Sequence, residues 1–306
     1  MRLVFMGSAE LAIPSLRAIL EAGKDEVVGV VSQPDRPAGR KRKLAPNPLK
    51  AFAQERNLPC HLPEKIGEST SVEQLKRWNP DLFVVVAYGQ YIPSQIIQLA
   101  PHEAINLHPS LLPKYRGAAP IQWALLNGDS TTGASIITLA KKMDAGDILH
   151  QETLPISPDD TSATLHEKLA QLGANLLLET IDAIRAGTIS RRPQNEAEAV
   201  EIRKLSKEDA PINWTHSATQ IRNQIRALDP WPGTTCKLPS GETLKIWEAT
   251  QEEGAGKPGE LLDDQLLVAT GHQALRLLEI QPSGKKRMPA SAFLNGHPLQ
   301  RGSFLA

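Results

Sequence analysis

Asn106 and His108 stand two residues apart at the end of the short apolar run Ala104 to His108 (AINLH), and Asp144 sits further on in the tight acidic turn MDAGD. These residue types form an acid–base and dipolar set. An amide can donate to an oxygen as it becomes negative, a histidine can move protons near neutral pH, and a carboxylate can orient that histidine and stabilise its charge. Such a set suits acyl transfer through a tetrahedral intermediate without a covalent enzyme adduct. Taken alone, the residues also fit plainer readings, a satisfied histidine at a strand end and an Asx-Gly hairpin. Several other machines are excluded, because the chain holds no G-x-S-x-G elbow, no H-E-x-x-H and no Walker A loop.

Asn106 and His108 need a strand beneath them. In a strand, side chains two apart share a face, so Asn106 and His108 look into one cleft while Leu107 faces away. Pro109 stops the strand, and Ser110 to Pro113 makes a constrained turn that holds backbone groups still at the strand's carboxyl end. Ligands bind there in open α/β sheets. The sheet begins at the N-terminus, where Arg2 to Met6 reads as a strand, Leu11 to Leu20 as an amphipathic helix and Val27 to Val31 as the next strand, with a right-handed crossover. The first turn, MGSA, has a single glycine, so the G-x-G-x-x-G fingerprint is absent from that turn and a nicotinamide cofactor is disfavoured. Asp81 to Ala87 (DLFVVVA) reads as a strand buried on both faces, followed by a second small loop, Tyr88-Gly89-Gln90. Helices are expected at Pro48 to Arg56, Ser71 to Trp78, Ala118 to Asn127 and Asp160 to Ala186, and strands at Gly133 to Leu139 and Ile148 to Leu154.

A chain of 306 residues favours two domains. With 41% apolar and 22% charged residues it has the composition of a soluble globular protein. No apolar run approaches the ~18 residues of a membrane span, and the N-terminus enters a strand directly, without a secretory signal. Cys60 and Cys236 are the only cysteines, which argues against a disulfide framework or a cysteine zinc site and fits a reducing cytoplasm. The formal net charge is zero, so contact with nucleic acid must come from local basic clusters.

One such cluster lies in Gln33 to Lys50 (QPDRPAGRKRKLAPNPLK), where Arg36, Arg40, Lys41, Arg42 and Lys43 crowd together and the prolines and glycine predict an irregular loop. A solvated charged loop and a phosphate-backbone contact both fit it. The polar stretch from Arg191 to Lys204 reads as a linker. Beyond it come a helix over Thr215 to Leu228, the break DPWPG, and short strands at Thr235 to Leu238, Thr243 to Glu248, Glu260 to Leu262, Leu266 to Ala269 and Ala274 to Ile280. That spacing predicts a small OB-like β-barrel, on which Lys285-Lys286-Arg287 is a second basic cluster.

INLHPSLLPKYRGAAPIQWAL, with MDAGDIL after it, resembles the active-site signature of formyltransferases that use 10-formyltetrahydrofolate. QPDRPAGR (33–40), VVVAYGQYIP (84–93), LSKEDAPINW (205–214) and DPWPG (229–233) extend the resemblance over nearly the whole chain, to the members that formylate methionyl-tRNA. Relatives acting on a purine precursor or a nucleotide sugar share the first domain but are not expected to carry this basic loop with this C-terminal domain. The resemblance implies that Asn106 polarises the formyl oxygen, that His108 is the general acid or base, and that Asp144 holds the histidine and shuttles protons. It places the folate against Ser110, Leu111, Leu112 and Pro113, with Tyr88, Gly89 and Gln90 lining the same pocket. Arg40 falls where the family's inserted loop contacts the initiator tRNA, and Arg36, Lys41, Arg42 and Lys43 join it there.

The expected architecture is α/β. A Rossmann-like, mostly parallel catalytic domain (residues 1–190) is followed by a linker (191–204) and an OB-like tRNA-binding domain (205–306). The resemblance further implies a monomeric cytoplasmic enzyme with no metal and no permanently bound cofactor, the folate being a co-substrate. A nucleotide-sugar formyltransferase and a catalytically idle RNA-binding protein are the alternatives.

Overall fold

The computed structural model describes residues 1–38, 43–45 and 47–306, with backbone alone at 37–38 and 43–45. In chain order the first part runs β1 (Arg2–Gly7), α1 (Ala12–Ala22), β2 (Glu26–Val31), β3 (Arg36–Ala38), β4 (Lys43–Ala45), α2 (Pro48–Glu55), β5 (Cys60–His61), α3 (Ser69–Trp78), β6 (Leu82–Val86), α4 (Ser94–Ile97) and β7 (Ala104–His108). It continues through β8 (Arg116–Gly117), α5 (Pro120–Leu126), β9 (Thr131–Thr138), β10 (Ile148–Pro155), α6 (Ser162–Ala186) and β11 (Glu201–Ile202). The last part holds α7 (Ala218–Leu228), β12 (Thr234–Lys237), β13 (Thr243–Glu252), β14 (Leu267–Ala269), β15 (Ala274–Pro282), β16 (Met288–Pro289) and α8 (Ala290–Leu294).

Two compact units divide the chain. One comprises 1–117, 132–155 and 166–201, the other 118–131, 156–165 and 202–306. The first is built on a seven-stranded sheet of order β10-β9-β7-β6-β1-β2-β5. The pairs from β5 through β7 are parallel, and β9 then runs antiparallel to β7. This is a Rossmann-like order, growing outwards in both directions from β1. Alternation along the strands fills both faces: Leu3, Phe5, Val84, Ile105 and Leu107 join one core with Leu16, Leu177 and Ile181. Val4, Met6, Phe83, Val85 and Ala104 join the other with Leu75 and Ile96. Leu107 lies so close to α6 that a Cβ on Gly173 would sit 2.6 Å from its Cδ2, so glycine is what lets the helix rest on β7.

The stretch after Gln33 is not irregular throughout, since β3 and β4 pair antiparallel, Arg36 opposite Ala45 and Ala38 opposite Lys43. Pro37 is tolerated because a two-stranded ribbon leaves alternate N–H groups unpaired. Arg40, Lys41 and Arg42 lie outside the described residues, and of Lys43 only the backbone is described.

The second unit carries a five-stranded antiparallel, barrel-like sheet, β12-β13-β15-β14 with β16 on β15. Register shifts around Glu248 let the long strand β13 bend. Helix α7 starts at Ser217, whose hydroxyl and Gln220 form a capping box, and it buries Ile221 and Ile225 against Leu244, Ile246, Leu275 and Ile280. Glu260 to Leu262 is not a strand proper; it makes isolated bridges, Glu260 to Phe304 and Leu261 to Val268. The reason is the turn after it, where the Asp263 carboxylate accepts the N–H groups of Gln265 and Leu267. No helix among the described residues is long and apolar enough to cross a membrane.

Candidate active site

Strand β7 delivers Asn106 and His108 to one face, opposite Ile105 and Leu107, which enter the core beneath α6. Asn106 is half-buried, whereas His108 is 4% exposed. Two groups hold the imidazole. Its Nε2–H donates to the Tyr115 carbonyl at 2.9 Å, and Nδ1 faces Asp144 Oδ2 at 3.6 Å. The first bond fixes the tautomer, so in the neutral ring the lone pair is on Nδ1, the nitrogen turned towards the carboxylate. Burial pushes the pKa of His108 down, and Asp144 and the Tyr115 carbonyl act against that shift. A neutral, proton-accepting ring at neutral pH results.

Asp144 is itself fixed. Its side chain is 14% exposed, and Oδ2 accepts the Gly117 N–H at 2.9 Å. Its backbone is left-handed, with φ 52°. Behind it, a Cβ on Gly146 would lie 1.7 Å from the Thr138 carbonyl oxygen, so the turn closes onto β9 only with glycine there. The carboxylate thus comes from a turn packed against the neighbouring strand.

Around the turn Ser110 to Pro113, nearly every backbone group already has a protein partner. Ser135, buried on β9, donates from Oγ to the Ser110 carbonyl at 2.6 Å and accepts the Leu112 N–H at 3.1 Å. Gln151 Nε2 donates to the Leu112 carbonyl, the Val200 N–H to that of Pro113, and the Lys114 N–H to that of Leu111. The Leu112 side chain is buried with Ile137 and Ile148. Among the described residues the Leu111 N–H has no acceptor, which leaves one backbone donor of a rigid turn for a ligand.

Tyr88, Gly89 and Gln90 follow β6, the strand beside β7. The Tyr88 carbonyl accepts from Ser8 Oγ and Gln33 Nε2, and the Gln90 amide binds the Ile66 N–H and the Pro63 carbonyl. These bonds shape the loop, while the buried Tyr88 hydroxyl has no partner among the described residues. Gln33 also roots the β3–β4 hairpin, its carbonyl accepting from Asn47 Nδ2 while the Asp35 carboxylate pairs with Lys50 at 2.7 Å. On the hairpin itself, Arg36 is paired with Glu64 at 2.7 Å. In the second unit, Arg287 of the other basic cluster stacks 3.6 Å over the Trp247 ring and pairs with Asp229. Among the described residues, no group of three His, Cys, Asp or Glu side chains could hold a metal ion.

Sequence reasoning missed Ser135, Arg116 and Gln194. Arg116 is buried next to Tyr115 and donates to Gln194 Oε1 at 2.9 Å and Glu196 Oε1 at 2.7 Å. The Arg116 hydrogen bond, with Lys142 beside it, holds the Glu196 carboxyl down at about 2. A signal existed in the arginine at the end of LLPKYR, whose charge needs a partner if the loop is buried. Nothing local pointed to one 78 residues away.

Comparison with known proteins identifies the family. The formyl transferase family model matches residues 1–181, and the model of the formyl transferase C-terminal domain matches 204–298. A relative from Desulfotalea psychrophila, named methionyl-tRNA formyltransferase, is 46% identical over 301 residues, covering 97% of this chain and 93% of its own. Another of the same name, from Moorella thermoacetica, is 44% identical over 310 residues, covering 100% and 99%. Among solved structures, HypX from Aquifex aeolicus in complex with tetrahydrofolic acid matches with TM-score 0.64 at 18% identity, over 100% of this chain and 50% of that one. An N-formyltransferase from Helicobacter canadensis, in complex with folinic acid and dTDP-3-aminofucose, matches with TM-score 0.65 at 20% identity, over 94% and 100%.

Proposed function

The chain belongs to the formyl transferase family, and from that premise we propose that it transfers the formyl group of 10-formyltetrahydrofolate to the α-amine of methionyl-initiator tRNA. The observation that carries the chemistry is His108, buried between the Tyr115 carbonyl and the Asp144 carboxylate on the same strand face as Asn106. The acceptor follows from relatives that are named for it over nearly their whole length.

In the reaction the amine lone pair attacks the formyl carbon. Asn106 donates to the formyl oxygen as it becomes negative, and His108 Nδ1 takes the proton that the new ammonium must lose. Asp144, 3.6 Å from Nδ1, stabilises the imidazolium. The tetrahedral carbon then collapses, N10 of the folate leaves and takes up the proton given back by the His108 imidazolium, and N-formylmethionyl-tRNA and tetrahydrofolate are released. No permanently bound cofactor takes part, since the folate is a co-substrate. The rigid turn Ser110 to Pro113, with its open Leu111 N–H, and the loop Tyr88 to Gln90 hold the folate.

Residues 1–190 carry the catalytic and folate-binding side chains, 191–204 lead on from them while bonding back to Ile148, Pro113 and Arg116, and 205–306 form the OB-like domain that helps hold tRNA. Arg40, with Arg36, Lys41, Arg42 and Lys43, contacts the acceptor end of the tRNA, where Arg36 must exchange Glu64 for phosphate. The enzyme works as a monomer in the cytoplasm. A transfer assay with charged initiator and elongator methionine tRNAs tests the reading. Formylation of the initiator with equimolar tetrahydrofolate is expected, and no formyl transfer to either tRNA would overturn it.

A further inference from the structure

The polar stretch 192–201 works as a strap across the two segments that serve His108. At one end Arg192 and Ile148 exchange backbone hydrogen bonds of 2.9 and 2.8 Å. At the other, the Val200 N–H donates to the Pro113 carbonyl and the Val200 carbonyl accepts the Arg116 N–H at 2.8 Å. Between them lies Gln194. Its Nε2 donates to the Asp144 carbonyl at 2.7 Å and the Gly146 carbonyl at 2.8 Å, while its Oε1 accepts from Arg116 Nε.

Arg116 stands between the residues that touch the catalytic pair, Tyr115 on His108 Nε2 and Gly117 on Asp144 Oδ2. Its side chain is 1% exposed, and Nη1 has no partner among the described residues, so Gln194 and Glu196 alone hold the guanidinium. One carboxamide therefore ties the Asp144 turn to the Tyr115–Gly117 loop. A left-handed, non-glycine residue such as Asp144 persists only where its surroundings over-determine it, and two hydrogen bonds from Gln194 to the turn supply that constraint. Asparagine is one methylene too short for the span, and an ionised glutamate would set an acceptor against two carbonyls.

We propose that Gln194 is a positioning residue, which sets the approach of the Asp144 carboxylate to His108 Nδ1 by locking the turn 144–146 to the loop 115–117. The inference rests on the reading of His108 and Asp144 given above. Without Gln194 the turn relaxes and the carboxylate shifts, while the folate turn at Ser110 to Pro113 keeps its own partners.

Four variants test this in the formyl-transfer assay: Gln194→Met, Gln194→Glu, Asp144→Asn, and Gln194→Met combined with Asp144→Asn. Gln194→Met is expected to lower kcat by about 100-fold, the scale of a misplacement of about 1 Å, with both KM values within about twofold. Gln194→Glu, which still offers Arg116 an acceptor, is expected to be equally slow. The double variant should be no slower than Asp144→Asn, because Gln194 acts through Asp144. Wild-type kcat in Gln194→Met, or its full factor added on top of Asp144→Asn, would overturn the proposal. So would activity retained in Gln194→Glu and lost in Gln194→Met, which would assign Gln194 to Arg116 alone. Asp144→Asn at wild-type rate is a different outcome, since it removes the catalytic reading on which the proposal stands.

Discussion

The corner around His108 and the β3–β4 hairpin are built on opposite principles. In the corner almost every polar group meets another protein group: Nε2 meets Tyr115, Nδ1 faces Asp144, and Asp144 meets Gly117 and, through its backbone, Gln194. Among the described residues the hairpin is held at its root by Asp35, Asn47 and Lys50 and along β3 by the exposed Arg36–Glu64 pair, and its sequence is dense in positive charge. The difference teaches that the two regions are exposed to different physics. The proton transfer proposed for the corner requires fixed distances in a place sheltered from water, whereas a polyanion, the proposed partner of the basic run, is gathered by charge.

Substitutions should separate the two along this line. His108→Ala is expected to lower kcat by about 100- to 10,000-fold, the usual contribution of a general acid–base group, with folate affinity by calorimetry unchanged. More than half of wild-type rate would break the comparison on the catalytic side. Asn106→Ala should lose about 100- to 1,000-fold in kcat if its amide meets the developing oxyanion, and an effect confined to the folate KM would reduce Asn106 to a binding residue.

On the hairpin side, Arg40→Ala should leave kcat and folate KM alone and lower kcat/KM for tRNA by about 10-fold or somewhat more, the scale of one charge-assisted hydrogen bond. Trypsin should cut the free protein early in the run Arg36 to Lys43, and saturating initiator methionyl-tRNA should protect it. Cleavage indifferent to tRNA would dissociate this segment from recognition.

The smallest effect is a matter of pH. Burial holds the His108 pKa below 6.5, so the ring stays neutral, and able to accept a proton, until the pH falls below that value. Asp144 raises the pKa, so Asp144→Asn should move the acid limb of the rate profile further down. An upward move would contradict the arrangement. The same sign applies to folding: the folded state binds fewer protons at His108 than the unfolded chain, so this contribution is complete above pH 6.5 and declines as pH falls through the folded pKa.

Much of this was legible in the residues. The apolar runs of β1, β2, β6 and β7 mark a parallel sheet, and the alternation Asn106-Leu107-His108 correctly turns two polar groups to one face and Leu107 to the core. What stayed hidden depends on distance or on punctuation. Arg116 and Gln194 meet across 78 positions, and Gln194 sits in a polar stretch whose lack of apolar periodicity reads as linker, because its anchoring is by hydrogen bonds and ion pairs. The β3–β4 pairing was hidden by Pro37, which a two-stranded ribbon tolerates. Ser135 looks like any strand serine until the turn at Ser110 folds over it.

The central claim is that this family member formylates an amine carried by tRNA, although solved structures of the same fold include one bound to a nucleotide-linked amino sugar. The direct test supplies 10-formyltetrahydrofolate with labelled formyl to the wild-type protein in the presence of both methionyl-initiator tRNA and dTDP-3-aminofucose, and reads the label in each product. The account predicts label in methionyl-tRNA and none in the sugar. Label in the sugar, with the tRNA unformylated, would contradict it.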